Sequence, residues 1–280
     1  MIFVDAHVHI YDCFDLDIFF DSALKNFQTA EKSCRIRSQP CSYMLLLSEG
    51  TTQNWFQHLA TKLRAGQPVD MPSKKWTFSL TGEPLSLTAS RNSSSGETIY
   101  LVAGRQIVTV EKIEVLALFC NTSISNGLPL NETVDTIRQL NGAPVLPWGA
   151  GKWLGKRGKI LQAFLAGYGK KGLFMGDNGG RPLFWPPPPL FHLAREKGFS
   201  TLPGTDPLPI PHEATRVGSF GFFLDSHLID MASPAISMRD FLISGEGAIY
   251  PFGKLQDIRS FFTDQLQLRF HSLFKRKQRN

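Results

Sequence analysis

Short apolar runs alternate with amphipathic helical segments along most of this chain, a pattern that predicts a parallel sheet joined by crossover helices. Phe3–Ile10 reads as the first strand, 16–27 as a helix and Tyr43–Leu47 as the second strand. Trp55, Leu59 and Leu63 then share one helix face, after a cap offered by Thr51 and Thr52. Further strands are expected at Ile113–Cys120, Pro144–Pro147, Gly172–Gly176, Thr201–Gly204 and Val217–Leu224. Helices are expected from Asn131 (with Val134 and Ile137), from Gly158 (with Ile160, Phe164 and Tyr168) and over Leu190–Lys197. The last begins at Asp257, with Ile258, Phe261, Phe262 and Leu266 predicted to face inward. Trp185–Pro189 reads as a rigid loop within the fold.

Between residues 68 and 112 the period changes to two. Trp76, Phe78 and Leu80 alternate with polar residues, Ile99–Val102 follows a polar stretch, and Ala103-Gly104-Arg105 offers a turn before Ile107–Val110. Period-two patterning with short turns predicts antiparallel ribbon. The expected fold is therefore α/β, a distorted (β/α) TIM-like barrel with seven or eight parallel strands and an antiparallel β-ribbon insertion at 68–112. The 280 residues suit a single domain of this kind, with the ribbon as a lid or an elaborated edge.

The first strand carries the chemistry. In Asp5-Ala6-His7-Val8-His9 the two histidines lie two apart, so both imidazoles point to one face at the strand's C-terminal end. Two neutral imidazoles on one face make half of a divalent-metal site, with zinc, manganese or iron as the ions that suit them. The plainer alternative is a pair of strand-end histidines hydrogen-bonded to neighbouring loops.

Val4-Asp5-Ala6-His7-Val8-His9-Ile10 resembles the first-strand signature of the amidohydrolase superfamily, and is similar to the start of the polymerase-and-histidinol-phosphatase domain. The first resemblance implies a barrel that hydrolyses amides, esters or lactones with one or two metals. It makes Gly204-Thr205-Asp206 the late strand end whose aspartate completes the metal shell or acts as general base, so Asp206 is the first choice for that role. The chain departs from the amidohydrolase pattern at two middle strands, where histidines are expected and none occurs. Lys152 lies near the place of the family's lysine, in an unlike tryptophan-glycine context. The phosphatase resemblance makes Asp225 and His227, at the end of the last strand, the alternative ligands.

Two other polar strand ends follow. Pro147–Gly158 contributes Lys152, Lys156 and Arg157 before a helix, a combination that suits a carboxylate or phosphate, or else forms a flexible basic loop. Met175–Pro182 offers Asp177 as a second catalytic carboxylate and Arg181 as an anion clamp, or else a plain Asp-Asn-Gly turn. His212 is a further histidine near Asp206, while His58 and His271 read as helix-surface residues.

Composition narrows the rest. No apolar run reaches the length of a membrane span, and no cleaved leader is expected, since cleavage would remove the motif in the first ten residues. Cys13, Cys34, Cys41 and Cys120 lack C-x-x-C spacing and read as reduced thiols of a cytoplasmic protein. Of the net charge of +6, four units come from Lys275, Arg276, Lys277 and Arg279. Such a tail is a solvated end or a weak attraction to anionic surfaces, and does not indicate a nucleic-acid partner. The expected function is metal-dependent hydrolysis of an amide, ester or lactone bond in a small anionic substrate. The alternatives are a phosphoesterase and a non-catalytic barrel that has lost its metal.

Overall fold

The computed structural model describes residues 1–34, 41–69, 73–94, 96–169 and 172–277, with side chains described to residue 268. The basic side chains of Lys275–Arg279 and that of His271 therefore lie outside the described residues. The strands are β1 (Ile2–Val8), β2 (Ser42–Leu47), β3 (Trp76–Leu80), β4 (Ser86–Arg91), β5 (Thr98–Val102), β6 (Gly104–Val108), β7 (Glu114–Leu118), β8 (Ala143–Pro147), β9 (Phe174–Asn178), β10 (Thr201–Gly204), β11 (Phe220–Leu224) and β12 (Tyr250–Gly253). The α-helices are α1 (Leu16–Ser33), α2 (Trp55–Arg64), α3 (Leu130–Gln139), α4 (Gly155–Gly167), α5 (Pro189–Glu196), α6 (Pro234–Ser244) and α7 (Ile258–Lys277).

These strands form two mixed sheets and not the closed parallel barrel expected from the sequence. One has the order β12-β11-β1-β2-β5-β4-β3 and the other β10-β9-β8-β7-β6. β1, β2 and β5 run parallel, as do β8, β9 and β10, but β11 is antiparallel to β1, and β7 is antiparallel to both β6 and β8. For β6 and β7 the connection supplies the reason. A parallel return needs a crossover of a dozen or more residues. β6 and β7 are joined by a tight turn in which Lys112 has a φ of 60°, so that pair is a hairpin. Between β10 and β11 the described residues hold the 3-10 helix Pro211–Arg216 and no α-helix. That segment carries the chain from one sheet to the other, where β11 enters antiparallel to β1. β7 and β8 are antiparallel although α3 lies between them.

The ribbon strands β3, β4 and β5 pair antiparallel, and β5 also pairs with β2 in the first sheet. Ala103-Gly104-Arg105 makes no turn. The chain passes straight from β5 into β6, leaving one sheet for the other. Gly104 permits the crossing, because a Cβ there would collide with the Leu47 carbonyl oxygen. At this junction the Glu49 N–H donates to the Gly104 carbonyl at 3.1 Å and the Gln106 N–H donates to the Glu49 carbonyl at 2.9 Å. At the opposite junction the Asp206 N–H donates to the His7 carbonyl at 2.8 Å. The sheets abut at both places without a continuous ladder closing them.

A core lies between the sheets, built by Val4, Met44, Leu118, Val145, Leu202 and Phe222 among others. A second packs the outer face of the first sheet on α1 and α2, and a third packs α3, α4 and α5 on the other sheet. Alternation along β1 assigns its residues to these layers. Ile2, Val4 and Ala6 enter the inter-sheet core, whereas Phe3 and Val8 join the layer of α1. That sequence breaks strict parity, and the break is a β-bulge: Asp5 pairs with Leu45 but Val8 with Leu47, three steps against two. The extra residue exchanges faces for everything beyond it. With the same residues in a regular ladder, His7 and His9 would follow Phe3 and Asp5 toward α1.

Three smaller expectations also change. Asn54 precedes α2 as its N-cap, not Thr51 or Thr52. Helix α6 and strand β12 have no counterpart in the sequence reading. In α7, Phe261 is buried as expected, but Ile258, Phe262 and Leu266 are 51%, 54% and 55% exposed. Among the described residues no helix is long and apolar enough to cross a membrane.

Candidate metal centre

Asp5 organises the site without entering it. Its fully buried carboxylate accepts from the Thr205 N–H at 2.8 Å, the Thr205 hydroxyl at 2.5 Å and the Gly218 N–H at 2.9 Å, with a longer bond from the His7 N–H at 3.3 Å. Burial pushes the Asp5 carboxyl up to about 6, against the lowering effect of these donors. The contacts fasten the loop after β10 to β1. Gly204 allows the approach, since a Cβ there would collide with the His7 backbone nitrogen. The next turn places Asp206 in the left-handed region, with a φ of 47°, an unusual conformation for a residue with a side chain.

His7, His9 and Asp206 converge here. The two Nε2 atoms are 3.1 Å apart, and Asp206 Oδ1 lies 3.4 Å from that of His7 and 3.5 Å from that of His9. Three ligands around a tetrahedral ion with bonds of about 2.1 Å stand roughly 3.4 Å apart. The residues thus fit a divalent ion with a fourth position open. Burial, assisted by the charges of His9 and Lys152, pushes His7 down to about 4 against the pull of Asp206. Its ring is neutral near pH 7 and offers a lone pair. Burial works to raise the Asp206 carboxyl, but His7, His9 and Lys152 hold it well below the usual carboxylate range.

Neighbouring groups fix these three. The Asn178 amide N–H donates to Asp206 Oδ2, which leaves Oδ1 for the histidines; its own oxygen accepts from the Gly180 N–H at 2.6 Å. The Gln106 side chain lies near His7 and favours its protonated form, and the Tyr11 ring stacks on His9 with centroids 5.3 Å apart. Glu49, buried beside Arg105, lies within electrostatic range of His9, whose Nδ1 is buried with no hydrogen-bond partner among the described residues.

Asp206 opens onto a cleft of about 190 Å³ lined by Trp148, Lys152, Asn178, Gln256 and Phe261. A larger surface groove, about 630 Å³ beside α2 and β3, has no such convergence of ligands. Lys152 reaches the cleft with its ammonium 2.5 Å from both oxygens of Glu114. The other predicted residues are not brought there. Asp177, one residue before Asn178, points to the other face of β9, where Arg181 grips both its oxygens at 2.9 Å. Arg157 donates to the carbonyls of Gly151 and Lys112 at 3.0 and 3.4 Å, and Lys156 is exposed.

Asp225 and His227 pair with each other at 2.8 Å on the surface. Since β11 is antiparallel to β1, with Leu224 opposite Ile2, they sit at the far end of the sheet from His7 and His9. His58 is exposed on α2. His212 pairs with Asp264 of α7 at 2.9 Å, and with Glu213 these form a second group of ligand-type atoms. Arg216 grips both Glu213 oxygens at 3.0 and 2.8 Å, so a cation already occupies that carboxylate. Asn178, Gln106, Glu49 and Glu114 were missed in the sequence. Only Asn178 carried a signal, as the neighbour of Asp177 at a strand end.

No model of a known protein family matches the chain, and no curated protein matches it. Among solved structures it is similar to PsfC from Pseudomonas syringae PB-5123, with a TM-score of 0.52 and 14% identity over 97% of this chain and 98% of that one. It also aligns with the lesion-specific endonuclease PfuEndoQ from Pyrococcus furiosus, at a TM-score of 0.48 and 14% identity, over 89% of this chain and 57% of that one. The likeness to PsfC is one of fold.

Proposed function

We propose that this chain is a metal-dependent hydrolase whose divalent ion is held by His7, His9 and Asp206. The observation that carries the reading is the convergence of three ligand atoms, 3.1–3.5 Å apart, from two strand ends. A divalent ion bound there supplies Lewis acidity and makes water a nucleophile near neutral pH. The chain's own groups do the rest. His7 presents a neutral ring, His9 a second imidazole beside it, and Asp206, anchored by Asn178, a carboxylate facing both. Trp148 and Phe261 bound a space that admits only a small substrate group, and Lys152 brings an ammonium to its polar side.

The test is elemental analysis of untagged protein beside the His7→Ala/His9→Ala variant, followed by a screen of phosphate esters against lactones and amides. Near-stoichiometric zinc, manganese or iron that disappears in the variant, with hydrolysis of one substrate class lost alongside it, is expected. Metal retained by the variant refutes this site, and metal without hydrolysis of any class refutes the activity.

A further inference from the structure

Helix α7 divides its apolar residues between two sides. Phe261, Gln265 and Leu268 line the cleft, and Asp264 ties the helix to His212 and Gln256. Ile258, Phe262 and Leu266, spaced by four, face solvent instead. Beside them Leu183 and Phe184 are 61% and 48% exposed, and the Phe184 ring stacks on Phe262 with centroids 6.2 Å apart. Scattered exposed apolar side chains are ordinary, but five in one contiguous patch mark a contact surface.

The charge carried by the sequence of α7 and the residues after it selects what the patch contacts. Arg259 and Asp257 are both exposed at its edge and offset each other, so the net charge comes from the chain beyond. From Gln265 to Asn280 the sequence contains Arg269, Lys275, Arg276, Lys277 and Arg279 and no acidic residue. A second copy of this chain would bring that basic segment against itself, and like charges would oppose the contact. An apolar helix stripe accompanied by clustered Lys and Arg is suited to the interface of an anionic bilayer, where the stripe enters the acyl boundary and the cations meet headgroups. We propose that α7, with Leu183 and Phe184, seats this chain on an anionic membrane surface, the helix lying in the plane of the bilayer.

The test is flotation of the full chain with vesicles of phosphatidylcholine alone and with roughly 30% phosphatidylserine, at low and at high salt. Binding to the serine-containing vesicles is expected, at least about tenfold weaker on phosphatidylcholine alone or in 0.5 M salt. Leu183→Asp/Leu266→Asp should weaken it by about tenfold or more, with metal content and melting midpoint unchanged. Lys275→Gln/Arg276→Gln/Lys277→Gln should weaken it on anionic vesicles alone. If the aspartates lower the melting midpoint, Leu183→Ser/Leu266→Ser examines the same surface. Failure of the native chain to float overturns the proposal, as does binding indifferent to the apolar substitutions. So does a dimer in sedimentation velocity that Leu183→Asp/Leu266→Asp converts to monomer, which would assign the patch to a second copy.

Discussion

Asp5 and Thr205 are 200 residues apart in sequence, yet the Asp5 carboxylate takes both the N–H and the hydroxyl of Thr205, at 2.8 and 2.5 Å. The bond pair couples the strand that carries two ligands to the loop that carries the third. Thr205→Val removes the hydroxyl and leaves a buried carboxylate short of a donor, at a cost of about 1.5–3 kcal/mol. Urea denaturation of the metal-free protein should show that loss, and Thr205→Ser should recover most of it. A valine variant as stable as the native chain would mean that the backbone donors suffice.

Asn178 holds the free oxygen of Asp206. Removing a partner that orients a metal ligand typically weakens affinity by about 10–100-fold. Asn178→Leu should fall in that range in chelator competition, with its circular dichroism spectrum intact. Asn178→Asp should fall at least as far, because a carboxylate there faces another. Native affinity in both variants would remove Asn178 from the site.

Gly204 admits β10 against His7. Gly204→Ala places a methyl group against backbone that cannot swing away, so a loss of about 2–4 kcal/mol is expected, with metal affinity reduced as Asp206 is pushed outward. Thermal melting with and without added ion checks both effects. An unchanged melting midpoint would show that the two strands yield more readily than their contacts suggest.

Buried Arg181 and half-buried Asp177 pair through two hydrogen bonds, and the guanidinium also lies over the Phe191 ring at 5.8 Å. Arg181→Ala leaves the carboxylate without its partner and should destabilise the fold by about 1.5–3 kcal/mol. Metal content should be preserved in the folded fraction. A variant of native stability whose only defect is a raised KM would return Arg181 to substrate binding.

Binding to the folded state alone stabilises it by RT ln(1 + [L]/Kd), about 4 kcal/mol at a thousandfold excess over Kd. Chelation should therefore lower the melting midpoint by several degrees, and restored ion should raise it again. His7→Ala/His9→Ala should melt at one temperature under both conditions. A chelator effect that survives in this variant would place the ion elsewhere.

How much of this was legible in the sequence varies with what each residue depends on. His7, His9 and Asp206 stand out because ligand-type residues at strand ends are rare and close to recognisable motifs. Strand direction is not encoded in periodicity, so Asp225 and His227 read as neighbours of the histidines until β11 is seen to run backwards. Asp177 and Asn178 differ by one residue, and pleating alone decides which enters the cleft. Phe261 and Phe262 pose the same ambiguity on α7, because adjacent aromatic residues cannot both face a helix's inner side. The break at Ala103-Gly104-Arg105 looked like a turn because glycine serves equally for a turn and for close passage between strands.

The single extra residue in β1 separates direction from reach. Deleting Ala6 would restore strict alternation with Phe3 and Asp5 still turned to α1 and both imidazoles still turned to Asp206, because the residues beyond the bulge already follow the parity that such a deletion would give. A one-residue length change there would instead draw the histidines back along the strand by about 3.3 Å, so the spacing between the imidazoles and Asp206, and not the face they occupy, is what the extra residue sets.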